Sequence, residues 1–121
     1  MKDINNSDLN FAIIGCGRIA NRHAEHINNT NGCNLVATCD IIPDKAEVLA
    51  DKYGAIAYSN VEDLLINKDV NIVSICSPNA LHASHSILSL KSGKHVLCEK
   101  PMAINTYDCG EMIKEAEKAN K

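Results

Sequence analysis

One junction constrains this chain more than any other feature. The apolar run Phe11-Ala12-Ile13-Ile14 breaks at Gly15-Cys16-Gly17-Arg18-Ile19-Ala20, and a helix-like pattern begins at once. A strand that turns on glycine directly into a helix reads as the opening of a dinucleotide-binding βαβ unit. The first glycine permits a tight turn, and the second lets main chain approach a diphosphate with no side chain between them. The third position needs a small residue for helix-to-strand packing, and here it is Ala20. A helix starting near Arg18 offers unpaired N–H groups and the positive end of its dipole, so an anion is stabilised there without a cationic side chain. Cys16, Arg18 and Ile19 therefore join Gly15 and Gly17 as candidate cofactor contacts. Glycine turns also arise for steric reasons alone, so a second signal is needed.

That signal is Asp40, which ends the next apolar run, Leu35-Val36-Ala37-Thr38-Cys39, about 20 residues beyond Ala20. A carboxylate at the end of the second strand accepts both hydroxyls of an adenosine ribose. It would repel a 2′-phosphate, and Ile41-Ile42 supplies no Arg to receive one. NAD is therefore expected rather than NADP, with Ile41 counted among its contacts. The plain alternative for Asp40 is a solvated turn residue.

The remainder alternates strand and helix. Met1 to Leu9 is polar and aperiodic, as in a flexible leader, and residues 10–121 form one domain. The pattern predicts a strand over Asn10–Ile14 and a helix over Arg18–Asn29. A second helix starts at Pro43, buries Ala46, Leu49, Ala50 and Tyr53, and is capped by Gly54. A short strand, Ala55–Tyr58, precedes Ser59-Asn60-Val61-Glu62, which has capping-box spacing before a brief helix. The nearly continuous apolar run Asn71–Cys76 is a strand covered on both faces. Beyond Ser77-Pro78-Asn79 comes a helix with Ala80, Ala83, Ser84, Ile87, Leu88 and Lys91 on one face. A fifth strand, Lys94–Cys98, runs into Glu99-Lys100-Pro101, and a last amphipathic helix lies between Asn105 and Lys121. Such alternation implies parallel pairing and right-handed crossovers, hence a Rossmann-type doubly wound sheet of order 3-2-1-4-5. A ligand belongs outside the carboxyl ends of strands one and four, where the order reverses. Gly15, Gly17, Asp40, Ser77, Asn79 and Lys100 all fall just past strand ends on that edge.

Composition narrows the function classes. A net charge of −3 with 3% aromatic residues argues against nucleic-acid binding. Six cysteines without a C-x-x-C pair, three of them in strand-like runs, read as buried thiols of a reducing cytoplasm. No apolar stretch reaches the length of a membrane span, and no signal peptide precedes the first strand. The pairs His23/His26 and His82/His85 lack a third ligand, so no metal site is expected.

The stretch Ser74-Ile75-Cys76-Ser77-Pro78-Asn79-Ala80-Leu81-His82, followed by Gly93-Lys94-His95-Val96-Leu97-Cys98-Glu99-Lys100-Pro101, closely resembles the Gfo/Idh/MocA oxidoreductases. The resemblance runs from about Asn10 to Lys121. It implies hydride transfer between a nicotinamide and a sugar, polyol or sugar-nucleotide hydroxyl. Lys100 is then the catalytic residue, reaching the reacting hydroxyl and the nicotinamide ribose. An ammonium beside a cationic nicotinamide has reason to lose its proton. The resemblance also brings in Ser77, Pro78, Asn79, His82 and Glu99 on the cofactor side, and a cis peptide before Pro101. Asn79 alternatively caps a helix, and Glu99 either orients Lys100, binds ribose or is merely solvated. The run Ser74–His82 leans towards members acting on nucleotide-linked amino sugars. Members continue into a sixth strand and a second domain that supplies further catalytic residues, so 121 residues read as a truncated piece, inactive alone. An unpaired fifth strand bearing Val96 and Leu97 suggests a homo-oligomer through that edge. Two other functions stay open: an NAD-dependent glycoside hydrolase of the same family, and a non-catalytic nucleotide-sensing module.

Overall fold

The computed structural model describes residues 8–121. Five strands, β1 (Leu9–Ile14), β2 (Cys33–Cys39), β3 (Ile56–Tyr58), β4 (Ile72–Ile75) and β5 (His95–Cys98), alternate with five helices. These are α1 (Arg18–Asn29), α2 (Pro43–Tyr53), α3 (Val61–Leu65), α4 (His82–Lys91) and α5 (Thr106–Ala119). Every strand pairing is parallel, and the order is β3-β2-β1-β4-β5, as expected.

Successive residues of β1 feed opposite faces of the sheet. Ile13 packs with Ala20, Ala24 and Ile27 of α1 and with Ala46 and Leu49 of α2. Ala12 and Ile14 pack with Val73 and Ile75 of β4 and with Leu64 and Leu65 of α3. Because both faces are covered, the central strands carry no alternation of polar residues. Ala20 is wholly buried, which is the close helix-to-strand contact a larger side chain would prevent. Gly54 caps α2 in the left-handed conformation, with φ 72°.

Local details differ from the sequence-based expectation. The proposed leader over residues 1–9 falls mostly outside the described residues, but Leu9 already belongs to β1, with its N–H bonded to the Gly32 carbonyl at 2.7 Å. The cap of α3 sits one residue later than expected. Asn60 accepts from the Asp63 N–H at 2.8 Å and donates its own amide back to the Asp63 carboxylate at 2.7 Å. Asn is as good an N-cap as Ser, and its amide adds the return bond. In α4 the buried face is His82, Ser86, Ser89 and Leu90, not the expected Ala80-centred one. Ala80 belongs to a separate 3₁₀ turn over Asn79–Leu81, and the inward face of α4 is built largely from polar residues that a hydrophobic pattern does not pick out. Ser89 is tolerated inside because its hydroxyl bonds the His85 carbonyl at 2.7 Å.

Candidate functional site

At the carboxyl ends of β1, β2 and β4 the chain forms a crevice of about 460 Å³. Its floor is the glycine turn. The Gly15 N–H bonds the Cys39 carbonyl and the Cys76 N–H bonds the Ile14 carbonyl, both at 2.8 Å, so the turn is laced to strands on either side. Gly15 has φ +91°, and a Cβ there would lie 2.5 Å from the Ser77 nitrogen. Protein packing alone therefore demands glycine at position 15. Gly17 is different: its φ is −84°, and a Cβ would meet no protein atom within 4 Å. It is the N-cap of α1 and makes no side-chain cap, which leaves the first N–H groups of a 12-residue helix without intrahelical or capping partners. The bare approach at Gly17 and the uncapped positive helix end together fit a diphosphate.

Asp40 stands across the crevice with both oxygens engaged by main chain. Oδ2 accepts from the Cys16 N–H at 2.9 Å and Oδ1 from the Ile42 N–H at 2.8 Å. The carboxylate thus braces the glycine turn while its remaining lone pairs are available to ribose hydroxyls. Gly15, Cys16, Gly17, Asp40, Ile41, Ser77 and Pro78 all line this crevice. Thiol chemistry is suppressed in it. Burial, with help from the Asp40 charge, raises Cys16 to about 12, and burial raises Cys76 to about 12, so both stay as neutral S–H groups.

The other proposed residues are placed less uniformly. Arg18 and Ile19 open α1 at the rim, and both are exposed. Asn79 is exposed in the 3₁₀ turn and caps nothing with its side chain. Lys100 is exposed just past β5, and the Lys100-Pro101 peptide is cis. Glu99 is half-buried and paired. Its Oε1 lies 2.7 Å from His23 Nε2, its Oε2 accepts from the Lys100 N–H at 3.1 Å, and the His23 bond leads the interactions that hold its carboxyl below the usual range. His82 does not face the crevice. It is 2% exposed, with Nδ1 2.6 Å from the Pro101 carbonyl and Nε2 2.7 Å from the Ser77 carbonyl.

Two lining residues escape a motif reading. Lys45, in the first turn of α2, enters the same crevice as Asp40 and places a cation there that Ile41-Ile42 does not announce. His85 also lines it and shares a 2.8 Å hydrogen bond with Ser77 Oγ, and burial lowers its pKa, favouring the neutral ring. The His82/His85 spacing is the sequence signal for this position, although it points to a metal rather than to the crevice. Among the described residues no group of three or more His, Cys, Asp or Glu is placed to hold a metal ion, and no helix is long and apolar enough to cross a membrane.

A parallel sheet reversing its order at β1/β4, a glycine turn under an uncapped helix and a carboxylate ending β2 define a dinucleotide-binding domain. The family described as oxidoreductase family, NAD-binding Rossmann fold (GFO_IDH_MocA) matches residues 9–121, and the chain belongs to it. D-glucoside 3-dehydrogenase of Escherichia coli is 39% identical over 95% of this chain and 33% of its own length. The scyllo-inositol 2-dehydrogenase (NADP(+)) of Bacillus subtilis is 39% identical over 93% of this chain and 34% of its own length. The WlbA dehydrogenase of Chromobacterium violaceum, solved with NADH and UDP-GlcNAcA, superposes with a TM-score of 0.91 at 36% identity, over 100% of this chain and 35% of that one. The chain spans about a third of the length of these relatives.

Proposed function

We propose that this domain binds NAD(H) at the β1/β4 switch point and presents Lys100 for hydride transfer between the nicotinamide and a hydroxyl of a sugar, polyol or sugar nucleotide. The observation that carries the reading is the contrast between the two glycines. Gly15 is explained by the protein's own packing, whereas Gly17 has room around it and is explained by a ligand. In this reading the amides at the start of α1 hold the diphosphate, with Arg18 and Ile19 at the rim, and Asp40 accepts the ribose hydroxyls. Ser77, Pro78 and Asn79 border the nicotinamide half. The bound cofactor takes up or returns the hydride. Lys100 holds the substrate oxygen by an N–H bond and moves its proton, and Glu99 fixes the Lys100 main chain.

The relatives named above are dehydrogenases, which favours redox chemistry over the hydrolytic and sensing alternatives. Asp40 favours NAD, while Lys45 gives a 2′-phosphate one cation to meet. The open edge of β5, with Leu97 52% exposed, supports self-association of this chain. Isothermal titration of the chain with NADH tests the reading. A dissociation constant in the micromolar range or weaker is expected, and absence of heat at millimolar NADH would overturn it.

A further inference from the structure

We infer that His23 and His82 are positioning residues for Lys100, clamping the main chain on either side of it from the two helices that start at the switch point. The inference rests on the proposed role of Lys100. Lys100 is exposed, and a long side chain on an exposed residue takes its aim from its backbone. Upstream, the Glu99 N–H bonds the Ile75 carbonyl of β4 at 3.0 Å, and the Glu99 carboxylate bridges His23 Nε2 of α1 and the Lys100 N–H. Downstream, His82 of α4 links the Pro101 carbonyl to the Ser77 carbonyl at the end of β4. Position 100 is thus tied through one histidine to the helix under the glycine turn, and through the other to the strand end that lines the same crevice.

Neither histidine is free for other work. His23 is partly buried against Glu99, and His82 has both ring nitrogens within bonding distance of main-chain carbonyls. Which of the two carbonyls receives the ring N–H depends on the tautomer, and the ring is seated between both. The chemistry gains because the ammonium's donor geometry must be set within a fraction of an ångström, and each main-chain tie removes freedom that binding would otherwise have to remove.

The test is nuclear magnetic resonance on the 13.1 kDa chain, with His23→Ala, His23→Gln, His82→Ala and His82→Asn. Hydrogen exchange of the Lys100 amide and the nitrogen shifts of both rings are the readouts. His23→Ala is expected to speed Lys100 exchange at least 10-fold, and His23→Gln to restore most of it, because the glutamine amide can donate where Nε2 did. His82→Asn can remake only the Pro101 bond, so residues 100–102 should be intermediate in mobility between wild type and His82→Ala. At least one ring nitrogen of His82 should resonate as a hydrogen-bonded N–H in the wild type. Unchanged Lys100 exchange in both alanine variants would overturn the inference, as would failure of His23→Gln to rescue a folded protein. Titration of the unmodified chain with NADH reads the cofactor proposal separately, so the two can fail independently.

Discussion

Replacing each glycine of the turn by alanine separates what the fold needs from what the ligand needs. At position 15 the added methyl arrives at φ +91° and 2.5 to 2.6 Å from the Ser77 nitrogen, the Cys76 carbonyl carbon and the Ser77 Cα. The left-handed backbone costs an L-residue about 1–2 kcal/mol. The contact is with main chain, so β1 and β4 must part where Cys76 N bonds Ile14 O, an overpacking cost of about 1–3 kcal/mol. Gly15→Ala should therefore lose about 2–5 kcal/mol and lower the thermal midpoint by about 10 °C or more. Gly17→Ala meets no protein atom within 4 Å and has an ordinary φ, so only the weaker capping of Ala over Gly remains, less than about 1 kcal/mol. Its effect belongs on the ligand. A methyl group that holds the diphosphate away from even one amide forfeits a charge-assisted bond of about 1.5–3 kcal/mol, or about 10- to 150-fold in affinity. Urea unfolding and NADH titration on both variants complete the assay. If Gly17→Ala bound NADH as the wild type does, the cradle would be misplaced. If it unfolded as readily as Gly15→Ala, the separation of roles would be wrong.

Further consequences follow from single groups. Asp40→Ser should weaken NADH binding at least 10-fold by removing the ribose acceptor and should narrow the preference over NADPH, since Lys45 stays in the crevice; competitive titration of the two cofactors measures both. Lys94 is 7% exposed at the amino-terminal end of β5, and its ammonium donates to the Asn67 and Val70 carbonyls at 2.8 and 2.9 Å. Lys94→Met leaves the Val70 carbonyl unpaired, while the Asn67 carbonyl keeps the Val70 N–H at 3.3 Å, and should cost about 1–3 kcal/mol in urea unfolding. Burial also pushes the Lys94 pKa below its ordinary 10.5, so the unfolded chain binds more protons than the folded one between those two values. The contribution of Lys94 to stability therefore rises with pH across that window and is flat in Lys94→Met, which unfolding midpoints between pH 8 and 10.5 would reveal. With pKa values near 12, Cys16 and Cys76 should alkylate about 1000-fold more slowly at pH 8 than thiols at the ordinary value of 9.0, as peptide mass spectrometry can follow. Rapid alkylation of either in the folded chain would mean that the crevice floor opens.

Much of the site was legible because its parts are main-chain devices with local signatures. A strand, two glycines and a helix in succession mark the turn, and a carboxylate after the next apolar run marks the proposed ribose end, whatever surrounds them. The paired motifs around Asn79 and Lys100 carry the proposed nicotinamide end by resemblance alone. What stayed hidden were relations between residues distant in the chain. Nothing near Glu99 announces that its partner is His23, 76 positions earlier, and the inward face of α4, with His82, Ser86 and Ser89, is too polar to register in a hydrophobic pattern.

By itself, then, the order of residues determined the alternation of elements, the sheet order and the edge on which a ligand can sit, because each follows from short-range periodicity and the handedness of L-amino acids. Only the tertiary structure decided which of two glycines the protein's own packing demands and which has open space around it. It also decided that Asp40 braces the turn it faces, and that two histidines hold the chain around Lys100. Those outcomes depend on distances between strand ends and helix starts, set when both faces of the sheet are packed at once and by no local preference of the chain.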